Sequence, residues 1–286
     1  MGKVRIITDS NAALSAEVVE TYSIEVIPHV LRVGRERYDE TPDFSTEQFF
    51  QILRESQVGG RAVLPEVEAP NINRILDSYQ KVGKEADQVV AIHMSSQLSP
   101  MWAQSRKVAE MMMGRYGIRV IDSLTASMGL SKLVEMAAKA AHDGADLIEV
   151  ARLVNGVIPH LYVTFFSETL HYLERSAKLG SAQSVLGTML GIKAMITMED
   201  GKLIPLEKVQ SREEVVEKLY HFTAEFSSLE DVGVVQHHYE QTQDDFVQRM
   251  KEGLPGVPVR ILRYPPSLAA HLGPNVMGVI VYEGLV

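Results

Sequence analysis

Two adjacent hydroxyls, Ser95 and Ser96, stand directly after the apolar run "VVAIHM". A serine so placed can donate a hydrogen bond to an anion, cap a helix or, with a base beside it, attack a carbonyl. Two further polar groups follow apolar runs in the same way: Thr8-Asp9-Ser10 after "VRII" and Asp122-Ser123 after "IRVI". Helix caps favour these residue types, so each position taken singly reads first as a cap. Ser99, with Pro100 at the first turn, is the natural cap of the next helix, which leaves Ser95 and Ser96 without capping duty. A serine nucleophile on a strained elbow calls for G-x-S-x-G, whereas the flanks here are Met94 and Ser96, or Ser95 and Gln97. His271, in "AAHLGPN", and Asp9 supply the other members of a triad by type, but nothing in the spacing brings them within reach.

Other combinations carry less. His237 and His238 are adjacent, and neighbours on a strand point to opposite faces, so they make a poor metal pair. Met111, Met112 and Met113 widen the apolar stripe of a helix and read as packing. Neither G-x-x-x-x-G-K-[ST] nor G-x-G-x-x-G occurs, so the usual nucleotide cradles are missing. No metal, cofactor or catalytic residue is expected from these patterns.

The elements that must position the hydroxyls alternate in type. Through the first half come "VRIIT", a helix near residues 15–22, "IEVIPHVLRV", helices from about Thr46 and across 67–84, "QVVAIHM", a helix over about 99–116, "IRVID" and a long helix over about 125–142. Apolar strands separated by helices predict a parallel sheet covered on both faces, a doubly wound α/β layout. In such sheets ligands sit off the carboxyl ends of the strands, where all three polar groups fall. Beyond residue 155 the rhythm changes, and "MEDGKLIP" sets Asp200 and Gly201 between two alternating runs, a hairpin signal. The expected organisation is an amino-terminal α/β domain over 1–155 and a second α/β domain with a mixed or antiparallel sheet over 156–286.

The chain of 286 residues is 45% hydrophobic and carries a formal charge of -9, with no basic run to neutralise phosphates, so nucleic acid is not an expected partner. It contains no cysteine, which removes disulfides, thiolate catalysis and zinc-thiolate sites. The start, "MGKVRIITDS", reads as a first strand and not as a signal peptide, and no stretch has the roughly 20 apolar residues of a membrane helix. A cytoplasmic location is the expectation.

Five segments, "IITDSNAAL", "IHMSSQLSPMWAQSRKVA", "VIDSLTASMGL", "LHYLERSAKLGSAQSVLGTMLGIKAMI" and "HLGPNVMGVIVY", resemble the DegV family, whose fatty-acid-binding members include the FakB proteins. The resemblance spans the whole length. It implies a two-domain protein that encloses one long-chain fatty acid between its domains and presents the carboxylate to a separate ATP-dependent fatty acid kinase, in the service of phospholipid synthesis. It implies further that the head group sits near Ser95 and Ser96, Ser95 foremost, with Asp9 and Ser10 beside them and His271 approaching from the second domain. Ala62 departs from the family, which tends to have a carboxylate-binding threonine there, and Ser176-Ala177-Lys178-Leu179 replaces a G-G-R-I segment. Two other functions stand beside the carrier: a serine-dependent esterase or thioesterase using Ser95 or Ser96 with His271, and a regulatory member that has lost the kinase partnership.

Overall fold

The computed structural model describes residues 3–56, 63–175 and 193–284. The chain forms two compact units, Met1–Pro159 with Pro265–Ser267, and His160–Tyr264 with Leu268–Val286.

The first unit is built on a four-stranded parallel sheet in the order β2-β1-β6-β7, with β1 Val4–Asp9, β2 Glu25–Ile27, β6 Gln88–His93 and β7 Gly117–Asp122. Because side chains alternate across a strand, Ile7, Val89 and Ala91 turn to one face, where they pack with Ile75, Tyr79, Val82, Met101 and Val108. Those partners come from α3 Ile72–Gly83 and α4 Met101–Met111. The other face is covered by α1 Ala16–Tyr22, α5 Met128–His142 and α6 Leu147–Val157. The doubly wound parallel sheet is thus present.

A second, smaller sheet was not foreseen. The run "IEVIPHVLRV" is divided between two sheets: β2 ends at Ile27, and β3 Val30–Val33 pairs antiparallel with β4 Glu36–Asp39 and β5 Pro65–Glu68. Pro28 lacks the N–H that a continuous ladder needs, and it breaks the run there. Residues 67 and 68, read above as the start of a helix, belong to β5, and α3 begins only at Ile72, where Asn71 accepts the Arg74 N–H. α2 Thr46–Glu55 opens on a reciprocal cap between Ser45 and Gln48.

The second unit holds a six-stranded mixed sheet in the order β10-β9-β8-β13-β11-β12. Its strands are β8 Leu161–Ser167, β9 Ala194–Glu199, β10 Lys202–Lys208, β11 Leu229–His237, β12 Val259–Leu262 and β13 Val276–Glu283. β9 and β10 form the expected hairpin, and Asp200 and Gly201 both take positive φ, 47° and 77°. Short α7 His171–Arg175 follows β8, α8 Arg212–Ala224 and α9 Glu240–Gly253 pack on the face of Met277, Val279 and Val281, and α10 spans Pro266–Leu272. No helix among the described residues is long and apolar enough to cross a membrane.

β13 tolerates almost no added volume. Gly278 lies opposite Phe165, and a Cβ on it would overlap that fully buried ring and meet the Thr164 carbonyl oxygen at 2.9 Å. Gly278→Ala should therefore cost roughly 1–3 kcal/mol, read as a lower urea midpoint at unchanged m-value.

Candidate functional site

The strand order reverses between β1 and β6: the chain leaves β1 for β2 on one side and later returns to β6 on the other. The crevice off the carboxyl ends at such a point is where open α/β sheets take ligands. Three loops meet there, after Asp9, after His93 and after Asp122.

Asp9 is fully buried at the junction. Its Oδ1 accepts the Asn11 N–H at 3.1 Å, and its Oδ2 accepts the Met94 N–H at 2.9 Å and lies 3.1 Å from His93 Nδ1. His29 Nδ1 stands 3.7 Å from Asp9 Oδ1 and the same distance from Glu40 Oε2. Each imidazole meets a hydroxyl at its far nitrogen, His93 Nε2 at 2.7 Å from Ser105 Oγ and His29 Nε2 at 2.7 Å from Ser99 Oγ. Ser10 joins Glu40 to this chain, since its Oγ donates to Glu40 Oε2 at 2.5 Å and accepts the His29 N–H at 2.9 Å.

A second path closes the ring. Ser267 donates its N–H to Glu40 Oε1 at 2.7 Å, Asn11 Nδ2 donates to Ser267 Oγ at 2.9 Å, and Asn11 Oδ1 accepts the Ser127 N–H at 2.7 Å. Buried polar groups need such partners, because an unmet one costs about 1–3 kcal/mol.

The two acids respond oppositely to burial. Burial pushes the Asp9 carboxyl up, but the charge of His29, the bonds to His93 and the Met94 N–H outweigh it, so Asp9 ends below its usual value. For Glu40 burial wins over His29, Ser10 and Ser267, and its carboxyl is raised.

The expected site residues divide between the units. Asp9, Ser10, Ser95 and Ser96 share the carboxyl ends of the parallel sheet, whereas His271, 4% exposed, sits on α10 in the second unit. Ala62 and Ser176–Leu179 lie outside the described residues. Ser99 Oγ accepts the Met101 N–H at 3.1 Å, although the cap position of α4 falls on Pro100 and not on Ser99. Ser95, however, is not without such duty: its Oγ accepts the Gln97 N–H at 3.2 Å and its carbonyl takes the Leu98 and Ser99 N–H groups. Its own N–H goes to the Thr125 carbonyl at 2.9 Å, which ties this loop to the one before α5. Half-buried Ser96 donates its N–H to Asp122 Oδ1 at 3.1 Å.

Sequence reasoning overlooked His29, Glu40, His93 and Ser105. A signal existed for two of them, since His93 interrupts an apolar strand and His29 lies between two apolar runs, and a polar group so placed must be paired. Elsewhere, the His237 and His238 rings approach to 4.0 Å between centroids, contrary to the alternation expected, because β11 ends at His237 and His238 takes φ 64°. Of the three methionines expected to pack, only Met112 is buried; Met111, the last residue of α4, and Met113, beyond it, are 59% and 78% exposed.

An open parallel sheet with a polar switch point, joined to a unit with a mixed sheet, defines a two-unit α/β protein. The chain belongs to the DegV family, whose model, described as "Uncharacterised protein, DegV family", matches residues 3–284. It is 28% identical to a DegV domain-containing protein of Caldanaerobacter subterraneus over 99% of this chain and 100% of that one. Its fold matches that of a DegV family protein from Thermus thermophilus, described as fatty acid binding, with TM-score 0.86 and 24% identity over 99% of this chain and 100% of that one. A DegV family protein from Eubacterium eligens, loaded with heptadecanoic acid, matches with TM-score 0.83 and 13% identity over 98% and 100% of the two chains.

The opposed acids predict opposed pH profiles. Asp9, held below its usual value, adds stability that is full above the unfolded carboxyl range near pH 4 and fades as the pH falls through its folded pKa. Glu40, held above its usual value, favours the fold while protonated, and that contribution fades as the pH rises through its raised pKa. Asp9→Asn should cost about 3 kcal/mol at pH 7, with the deficit narrowing below pH 4. Glu40→Gln should melt above the parent chain at pH 8, with the gap closing toward pH 4; thermal scans across that range check both.

Proposed function

We propose that this chain is a fatty acid carrier without chemistry of its own: it encloses one long-chain acid and presents the carboxylate to a separate ATP-dependent kinase in the cytoplasm. The observation that carries the reading is membership of the DegV family along residues 3–284, together with relatives of the same fold described as fatty acid binding. The chemistry of the strand ends agrees with it. Ser95 and Ser96 offer neutral donors, and Met94, Leu98, Met101, Ala126 and Met128, all buried, adjoin the polar loops in sequence. Methionine adapts to an irregular acyl chain better than branched residues do.

Magnitudes assign the roles. Burying a chain of about 14 methylenes gains roughly 11 kcal/mol gross, before association and ordering costs. A hydrogen bond to a charged group contributes about 1.5–3 kcal/mol. The tail therefore supplies most of the affinity, and the head-group contacts choose which end faces a partner. We assign Ser95 to the carboxylate, with Ser96, Ser10 and His271 completing the surroundings, and Asp9 to holding the loop that carries Ser95. The absence of the threonine hydroxyl at Ala62 then weakens head-group binding without abolishing acyl binding.

Hydrolysis is the less favoured reading. The hydroxyls of Ser10, Ser99 and Ser105 each approach an imidazole, and the flanks of Ser95 and Ser96 lack the glycines of a nucleophile elbow.

Native mass spectrometry of gently purified protein should show one bound long-chain acid. Oleate at a hundred times its dissociation constant should add about 2.7 kcal/mol of stability, seen as a melting point several degrees higher. Ser95→Ala should weaken oleate binding about tenfold, in line with one lost bond to a charged group. Absence of any co-purifying lipid, with no melting shift from palmitate or oleate, would sink the proposal. If lipid binds but a fatty acid kinase with ATP fails to phosphorylate it, only the kinase partnership is lost.

A further inference from the structure

At the amino end of α5 two hydroxyls are buried without a partner. Thr125 Oγ1 and Ser127 Oγ, on residues 3% and 1% exposed, make no hydrogen bond among the described residues. Both directly precede α5, a 15-residue helix that begins at Met128. Ser127 occupies the cap position yet makes no side-chain cap bond. The Thr125 side chain lies against the same turn, where a Cβ on Gly129 would overlap its hydroxyl. Native proteins seldom leave buried hydroxyls unpaired, and two at one helix end point to an absent acceptor.

The backbone is held open around them. Ser127 has φ 52° and ψ -124°, a conformation dominated by glycine, and Leu124 has φ 51°. Asn11 Oδ1 holds the Ser127 N–H at 2.7 Å, and the Thr125 carbonyl holds the Ser95 N–H at 2.9 Å. The turn is therefore fixed against the loop that carries Ser95. Among the described residues no imidazole or carboxylate pairs with either hydroxyl, so no base there makes them nucleophiles. Two neutral donors at the positive end of a helix suit an anionic oxygen.

We infer that Thr125 and Ser127, at the amino terminus of α5, form an oxyanion pocket that receives the carboxylate of the bound acyl ligand. The inference rests on the fatty acid reading and adds to it two specificity-determining residues and a helix terminus. A helix dipole with hydroxyl donors recognises the acid without a basic side chain. It selects a free acid over an uncharged lipid of the same length.

The test titrates delipidated full-length protein with oleate and with oleyl alcohol, which keeps the tail and lacks the charge. Ser127→Gly removes the hydroxyl and supplies the residue best suited to this backbone. It should bind oleate about tenfold more weakly, leave oleyl alcohol unchanged, and raise the melting point of the lipid-free protein by about 2–4 °C. Thr125→Val, nearly the same shape, should show the same selective loss of oleate affinity. A serine serving only as a cap or as packing would give a lower melting point and an equal shift for both ligands, which overturns the inference. So does unchanged oleate binding in both variants while the parent chain binds oleate. A parent chain that binds neither lipid overturns the fatty acid reading along with it.

Discussion

A single carboxylate, Asp9, holds the carboxyl end of the parallel sheet together. An ionised group removed from water is tolerated only when it is paired and hydrogen-bonded, because desolvation otherwise costs several kcal/mol. Asp9 meets that requirement with contacts from three directions: the Asn11 N–H in its own loop, the Met94 N–H and His93 at the end of β6, and His29 beyond β2. Each contact fixes a segment that would otherwise be a loose surface loop. Ser95 follows Met94 by one residue, so its position is inherited from the demand of Asp9 for donors. That is why Asp9 reads as a positioning group: its oxygens are already engaged.

The remainder of the polar ring follows from the same constraint. His29 and His93 are drawn inward by Asp9, and each then needs a partner at its other nitrogen, which Ser99 and Ser105 provide. Ser99 meets two demands at once, because its oxygen also receives the Met101 N–H at the start of α4. Glu40 reaches the same place from β4 and closes on Ser10 and Ser267. Loops at strand ends are normally exposed and variable, and burial of these depends on almost every donor and acceptor having its match. Thr125 and Ser127, whose hydroxyls are unmatched among the described residues, stand out against that background.

Much of the architecture was legible because it is local. Apolar runs of strand length separated by helical patterns yield the parallel sheet, and the Asp200-Gly201 pair yields the hairpin of β9 and β10. The Ser99 hydroxyl at the start of α4 was readable for the same reason. The small antiparallel sheet was not, since Pro28 divides one apolar run between two sheets and composition alone does not say where each half pairs. The polar ring was least legible: Asn11 and Ser267 are 256 positions apart and Ser267 and Glu40 are 227 apart. The backbone at Ser127 is hidden for another reason, because serine does not announce a positive φ as glycine does.

On the fatty acid reading, an acid-rich crevice must receive an anion, and the electrostatics of the ring bear on this. Two like charges about 8 Å apart repel by roughly 2 kcal/mol at an effective dielectric of 20, enough to cancel a good hydrogen bond. Burial raises the pKa of Glu40, which favours its neutral form, and it engages Ser10 and the Ser267 N–H as a hydrogen-bonding group. Asp9 keeps its charge, but two histidines and two backbone N–H groups surround it. The acids thus spend their electrostatic influence on internal structure. Hydroxyls and helix termini suffice to recognise a carboxylate under those conditions, since the donors have little opposing field to overcome. In the proposed carrier their number would set the orientation of the ligand, and the buried tail would set its affinity.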